Sequence, residues 1–303
     1  MVREGWDDLA AWRDRRMGER GDLWHRAIID PTFLRVVGSV RGLRILDIGC
    51  GNGYLTRRWA REGASRSVGV DRSAASLRFA RRREMRRPSG AEFVRRDSAD
   101  LTGFGSGSFD LVAAHMSLMD IADAAATIRE VRRVLAAGGR FIFSISHPCF
   151  DIDLESTWVV ERAPFARENS VFRKVRGYRK ERVIRVPWNV SKTKVAYTLS
   201  YHRTLATYLR YLRAAGLAVV RMEEPLPGPE AIRNSPQGAF MREIPLHLVV
   251  EAVPWSRPTH GPRFRPPESR TSGRTRGAGV RRSGSRARRP GSGSSRRDSK
   301  PES

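Results

Sequence analysis

Arg44-Ile45-Leu46-Asp47-Ile48 is a short apolar run that breaks into Gly49-Cys50-Gly51-Asn52-Gly53, and a helical pattern follows from Tyr54 to Ala60. A strand that turns through glycines into a helix points to an open α/β sheet with a ligand at the strand's carboxyl end. The glycines let a ligand approach the backbone with no Cβ in the way. The spacing departs from the dinucleotide fingerprint, which would need glycine where Tyr54 stands.

The rest of the body repeats this rhythm. Ser67–Asp71, Glu92–Asp97, Phe109–His115 and Arg140–Ile145 are further strand candidates. Leu217–Val220 and Leu246–Val250 complete seven. Helical stripes separate them: one through Leu77 and Ala80 that Ser73 can cap, one through Ile128, Val131 and Leu135 that Gly138-Gly139 stops, and one through Leu205, Tyr208 and Leu212. Strands separated by helix-length segments imply a mostly parallel sheet covered on both faces. Residues 1–42 form a helical cap before the first strand, 43–253 the main domain, and 147–203 a long insertion after the fifth strand. Insertions at that end of a sheet are often lids or substrate walls.

Composition narrows the class. The net charge is +25, and residues 254–303 hold 13 Arg and one Lys against three acids. That surplus of 11 leaves +14 for the body. The tail is nearly all Arg, Ser, Gly and Pro, too poor in apolar side chains to form a core, and is expected to be disordered. A basic tail can hold nucleic acid through phosphates, but this one lacks aromatics spaced for base stacking, so nucleic acid is not the favoured partner. No stretch is long and apolar enough for a membrane span, the start of the chain has no apolar signal core, and two cysteines make neither a disulfide framework nor a four-thiolate metal site. A cytoplasmic protein without a metal centre or membrane partner is expected; its oligomeric state is open.

Asp71 ends the second strand about 20 residues after the glycine turn, as suits an acid that accepts hydrogen bonds from ribose hydroxyls. Asp97 ends the third, and Asp47 precedes the turn, so three acids at successive strand ends converge on one crevice. With these pieces in place, ILDIGCGNGYL, VGVDRS, FVRRDSADL, FDLVAAHMSLMDI and REVRRVLAAGGRFIFSI resemble, in order, the class I S-adenosylmethionine-dependent methyltransferases. The resemblance covers about residues 24–253 and is nearest the bacterial small-molecule group that includes quinone-biosynthesis methyltransferases. It implies a Rossmann-like α/β three-layer sandwich with a seven-stranded, mostly parallel sheet whose last strand is antiparallel. The implied cofactor is S-adenosyl-L-methionine.

The resemblance also implies roles. Asp47, Gly49, Gly51 and Gly53 would hold the methionine end of the cofactor, with Cys50 and Asn52 in the same turn. Asp71 would bind the ribose, Arg72 would lie beside the adenine, and Asp97 with Ser98 would meet the adenine edge. His115 and Met116 would face the sulfonium. Arg72 and Ala137 depart from the family, which more often has an apolar residue and a proline at these places.

Methyl transfer from a sulfonium needs a base only when the acceptor is protonated, as a phenol or amine would be. His115, His147 and His202 are the candidates, in no order; each also has a structural reading, as a buried, strand-exit or helix-start histidine. The insertion carries Phe150, Trp158, Phe165, Phe172 and Trp188, a surface suited to a flat acceptor, and with the helix around Trp24 and His25 it would close over it. Three functions compete: a small-molecule methyltransferase, an RNA methyltransferase suggested by the positive charge, and a non-catalytic cofactor- or nucleic-acid-binding protein on the same fold.

Overall fold

The structure, a computed structural model, describes residues 5–162 and 170–255. Phe165 and nearly all of the basic tail lie outside them. Seven strands form one sheet: β1 (Arg44–Ile48), β2 (Arg66–Asp71), β3 (Glu92–Arg95), β4 (Phe109–His115), β5 (Leu135–Ser146), β10 (Leu217–Glu223) and β11 (His247–Pro254). Their order is β10-β11-β5-β4-β1-β2-β3. The pairs among β1 to β5 are parallel, and β11 runs antiparallel to both β5 and β10. The expected Rossmann-like sandwich with its antiparallel last strand is therefore present. The order reverses at β1, whose neighbours are β2 and β4, and in open α/β sheets ligands bind in the crevice outside that switch point.

Alternation along the central strands makes the three layers. Leu46, Val112, Phe141 and Val250 point into one core, with Ile128 and Val131 of α5 (Ala124–Val134) and Tyr208 and Leu212 of α6 (Leu205–Ala214). Ile45, Leu111, Ile142 and Val249 point into the other. There they meet Phe33 and Val37 of α2 (Asp30–Val37) and Leu55 and Trp59 of α3 (Tyr54–Arg61). Strands buried on both faces need apolar side chains at consecutive positions, which is why these runs do not alternate with polar residues. Trp59 is fully buried; truncating such a side chain costs about 3–5 kcal/mol.

Ser73 caps α4 (Ala74–Arg86), its hydroxyl accepting from the Ser76 amide at 2.9 Å. Gly138-Gly139 does not stop α5: the helix ends at Val134 and the glycines lie within β5, where the pairing with β4 shifts register between Phe109 and Leu111. Pro254 still pairs with Leu217, so the sheet runs one residue past 253.

The cap consists of α1 (Trp6–Met17), a π-helical turn at His25–Ile29 and α2. The insertion holds two antiparallel hairpins, β6 (Ser156–Glu161) with β7 (Ser170–Val175), and β8 (Arg182–Ser191) with β9 (Lys194–His202). They dock differently. Trp158 of β6 packs on the apolar cluster around Ile28 and Met241. Trp188 of β8 instead sits against Trp6 and Trp12 of α1, with ring centroids 6.0 and 5.8 Å away. The Gly5 amide donates to the Tyr197 carbonyl of β9 at 3.1 Å. The second hairpin and α1 thus hold one another over the carboxyl end of the sheet.

Candidate active site

Three glycines of the β1–α3 turn take left-handed backbone, with φ of 67° at Gly49, 56° at Gly51 and 72° at Gly53. Their reasons differ. A Cβ on Gly49 would lie 2.5 Å from the Ser117 Cβ, and one on Gly53 would lie 2.3 Å from the Phe93 ring. A Cβ on Gly51 would meet nothing within 4 Å. Two glycines therefore serve the protein's own packing, while Gly51 presents bare backbone to open space. Its amide donates to Asp71 Oδ2 at 2.8 Å, and the Ser73 amide donates to Asp71 Oδ1, also at 2.8 Å. These two bonds fix the carboxylate at the end of β2. Burial, the largest influence, nonetheless pushes its pKa above the ordinary value.

Asp47 is buried and accepts the Thr56 hydroxyl at 2.6 Å. Burial pushes its carboxyl up to about 7, opposed by that hydrogen bond and reinforced by the Asp71 charge. Cys50 packs against Gly69, where an added Cβ would lie 2.7 Å from its sulfur, and burial pushes the thiol well above its usual range. Asn52 Nδ2 donates to Asp14 Oδ1 at 3.0 Å and to the Gly18 carbonyl at 2.9 Å, tying the turn to the cap.

The turn opens onto a cavity of about 820 Å³. Asp47, Gly49, Cys50, Gly51 and Asn52 line it on the β1 side. Asp71, Arg72 and Ser98 follow from β2 and β3, and His115 and Met116 from β4. Leu199 and Tyr201 of β9, with Trp6 and Arg13 of α1, form the far wall. Of the residues expected to hold a cofactor, Gly53 and Asp97 stand apart. Gly53 faces Phe93, and the Asp97 carboxylate accepts the Ala99 amide at 3.0 Å and pairs with Arg72 at 3.5 Å. A carboxylate fixed at the next strand's end and a glycine with free space beside it fit a nucleoside with a charged tail.

The three candidate histidines do not meet. His115 lines the cavity, but both ring nitrogens have partners: Nδ1 lies 2.9 Å from Ser144 Oγ and Nε2 lies 2.9 Å from Asp30 Oδ1. Burial pushes this imidazole below its ordinary pKa, against the opposing pull of Asp30. His147 and His202 lie elsewhere. His147 Nε2 contacts Glu224 at 3.1 Å and its Nδ1 accepts the Cys149 amide at 3.2 Å. His202 faces a second, smaller cavity and donates from Nε2 to the Tyr178 carbonyl at 2.7 Å.

The cap supplies groups that strand-end reasoning misses. His25 lines the cavity beside Arg13, and its Nδ1 lies 2.8 Å from Asp22 Oδ1. Burial opposes the ionisation of Asp22, but the hydrogen bond from His25 and the Arg13 charge hold its carboxyl well below the usual range. Asp30 receives the Tyr54 hydroxyl at 3.2 Å as well as His115. Asp120, just after β4, also lines the cavity, and burial pushes its carboxyl well up. Met116 is held at φ 48°, unusual for a side chain of that size, by hydrogen bonds from its amide to the Ser144 carbonyl and hydroxyl, both at 3.0 Å. The local signal for the His25 group was Asp22 three residues before His25 on a helical segment, after a glycine. Gly21 has φ 82°, and a Cβ there would lie 2.8 Å from the His25 Cβ.

Comparison with known proteins agrees with this geometry. The family model described as a methyltransferase domain matches residues 46–143, from β1 through β5. The ubiquinone biosynthesis O-methyltransferase of Alkalilimnicola ehrlichii is 32% identical over 108 residues, which are 36% of this chain and 43% of that protein. The demethylmenaquinone methyltransferase of Renibacterium salmoninarum is 31% identical over 128 residues, 42% of this chain and 49% of that one. The chain thus spans about half the length of these curated relatives. A crystal structure of an S-adenosylmethionine-dependent methyltransferase from Mesorhizobium loti is 29% identical, with a TM-score of 0.59, covering 73% of this chain and 95% of that one. Residues 46–143 thus match a methyltransferase domain, and the strand order and the glycine turn aimed at Asp71 are similar to those expected of the class I S-adenosylmethionine-dependent methyltransferases.

Proposed function

We propose that the protein transfers a methyl group from S-adenosylmethionine to a small-molecule acceptor. The observation that carries this reading is the open-faced Gly51 turn, bonded to Asp71, at one end of a cavity walled by α1 and β9. A volume of about 820 Å³ falls within the roughly 300–1,000 Å³ of small-ligand sites. Asp71 would take the ribose hydroxyls, the Asp47–Asn52 turn the methionine end, and Arg72 and Ser98 the adenine side. When bound, the cofactor supplies a methyl group already activated on a sulfonium. The protein's part is to orient the acceptor and exclude water. The wall of α1 and the second hairpin would do the latter.

The relatives named for ubiquinone and demethylmenaquinone support a small and, in our reading, aromatic acceptor. Tyr201, Leu199 and Met116 give the cavity apolar wall for a flat ring. The wall of α1 and β9 across the cavity disfavours a folded RNA as acceptor. No helix among the described residues is long and apolar enough to cross a membrane, and we place the activity in the cytoplasm. Isothermal titration of S-adenosylmethionine and S-adenosylhomocysteine, with NAD as control, tests the cofactor assignment. Micromolar binding of the first two alone is expected, and binding of NAD alone overturns it. A labelled-methyl transfer screen over catechols, phenols, amines and RNA then tests the acceptor class; labelling confined to RNA overturns the small-molecule assignment.

A further inference from the structure

The Arg13–Asp22–His25 group is outside every role assigned above. An arginine guanidinium has donors and no acceptor, so its contact with a ring nitrogen identifies which nitrogen is bare. Arg13 Nη2 lies 3.4 Å from His25 Nε2, so Nε2 carries the lone pair. The proton then sits on Nδ1 and is donated to Asp22 Oδ1 at 2.8 Å. Asp22 is fixed in turn by the His25 amide, at 3.1 Å to the same oxygen, and by Arg13 Nη1, at 3.1 Å to Oδ2. A carboxylate that holds one nitrogen of an imidazole and leaves the other basic is the arrangement of an oriented general base. The contact from Arg13 to Nε2 is long, so an incoming hydroxyl can displace it. His115, whose ring centroid is 5.4 Å from that of His25, has both nitrogens occupied by Ser144 and Asp30. The Tyr54 hydroxyl is likewise committed to Asp30. Of the cavity's two imidazoles, His25 is thus the one whose second nitrogen is held only by a long contact, 3.4 Å from Arg13.

Resting on the methyltransferase reading, we infer that His25 is the catalytic base of this cavity, that Asp22 positions it, and that Arg13 holds the oxygen of a phenol-type hydroxyl acceptor. The proton of the acceptor O–H passes to His25 Nε2, and its place on the oxygen is balanced by the Arg13 charge. The oxygen's electron pair forms the new bond to the methyl carbon as the carbon–sulfur pair returns to sulfur, leaving a methyl ether, a neutral thioether and a protonated His25. A guanidinium beside the reacting atom favours an acceptor that becomes an anion and opposes an ammonium, so the chemistry selects oxygen over amine nitrogen.

The test uses 4-nitrocatechol, whose phenolate absorbs in the visible, with the full chain and S-adenosylhomocysteine present. Binding to the native protein should raise the phenolate band at fixed pH. His25→Gln and Arg13→Gln should each abolish that rise, and Asp22→Asn should reduce it, a readout that a merely structural role would not move. Methyl transfer from S-adenosylmethionine to the same probe should fall about 100-fold or more in His25→Gln. Calorimetric affinity for S-adenosylhomocysteine should stay within about twofold. Failure of the native chain to bind S-adenosylhomocysteine would overturn the functional reading itself. If it binds, but the probe stays neutral or His25→Gln transfers at the native rate, the base assignment is overturned and the functional reading stands.

Discussion

The Gly51 amide donates to Asp71 Oδ2 at 2.8 Å, joining the first glycine turn to the end of the second strand across 20 residues of chain. With Oδ1 taking the Ser73 amide, the carboxylate is oriented before any ligand arrives. Such preorganisation is why Asp71→Ala should cost more than the bonds to the ligand alone. Each lost hydrogen bond to a charged group is worth about 1.5–3 kcal/mol, so two ribose hydroxyls predict a loss of S-adenosylhomocysteine affinity of at least about 100-fold. Unchanged affinity by calorimetry would remove Asp71 from the ribose.

Asp47 gives a pH dependence of stability with an unusual sign. Burial pushes its carboxyl from 3.8 up to about 7 in the folded protein, so the folded state keeps a proton that the unfolded chain loses. Stability from this group is therefore full below about pH 4, falls as pH rises to about 7, and is level above that. The span of about three units corresponds to about 4 kcal/mol. Asp47→Asn should flatten this slope and melt above the native protein at pH 8 without ligand. Parallel melting curves from pH 5 to 8 for the two proteins would disprove it.

The fold was legible because its cues are local. Short, mostly apolar runs at 44–48, 109–115 and 140–145, bounded by glycines and helical stripes, read as doubly buried strands, and the glycines at 49–53 set the turn between the first strand and its helix. Asp71 was legible by its distance from that turn. Three things were not. Gly53 and Asp97 carry the expected residue types, yet neither lines the cavity: Gly53 faces Phe93 and Asp97 pairs with Arg72. The acceptor wall depends on contacts between segments far apart in the chain, such as Asp30 with His115, 85 residues on, and no periodicity encodes those. His147 and His202 fit a base by residue type alone, and their partners Glu224 and Tyr178 come from other segments.

Gly49 and Gly51 separate folding from binding within one turn. Both need left-handed backbone, which costs a residue with a Cβ about 1–2 kcal/mol. At Gly49 the added methyl would also lie 2.5 Å from Ser117, between β1 and the loop after β4, and that clash adds about 1–3 kcal/mol. At Gly51 it would project into open space. Gly49→Ala should therefore lower the melting temperature more than Gly51→Ala. Gly51→Ala should weaken S-adenosylhomocysteine binding out of proportion to its small loss of stability. Equal melting losses with equal affinity losses would mean that the two glycines do the same job.

Trp188 holds the cavity wall in place from outside it. Its ring meets Trp6 and Trp12 of α1, and its Nε1 donates to Thr198 Oγ1 at 2.8 Å, so one side chain joins α1 to both strands of the second hairpin. Aromatic pairs add about 0.5–1.5 kcal/mol each beyond the area they bury. Losing two should loosen α1 without opening the sheet, since the apolar clusters of the two main cores do not include Trp188. The same helix carries Arg13 into the cavity and Asp7 to the start of α4, where it accepts the Ser73 hydroxyl at 2.7 Å. Trp188→Ala should thus speed trypsin cleavage at Arg13, Arg15 and Arg16 while moving the melting temperature by only a few degrees. It should weaken S-adenosylhomocysteine about tenfold, the equivalent of about 1.4 kcal/mol. Saturating S-adenosylhomocysteine should restore much of the protection, because a ligand that binds the closed form raises its population. If α1 is cleaved no faster in the variant than in the native chain, the hairpin does not hold the helix, and the wall must be secured by the contacts of Asp14 with Arg83 and Asn52 instead.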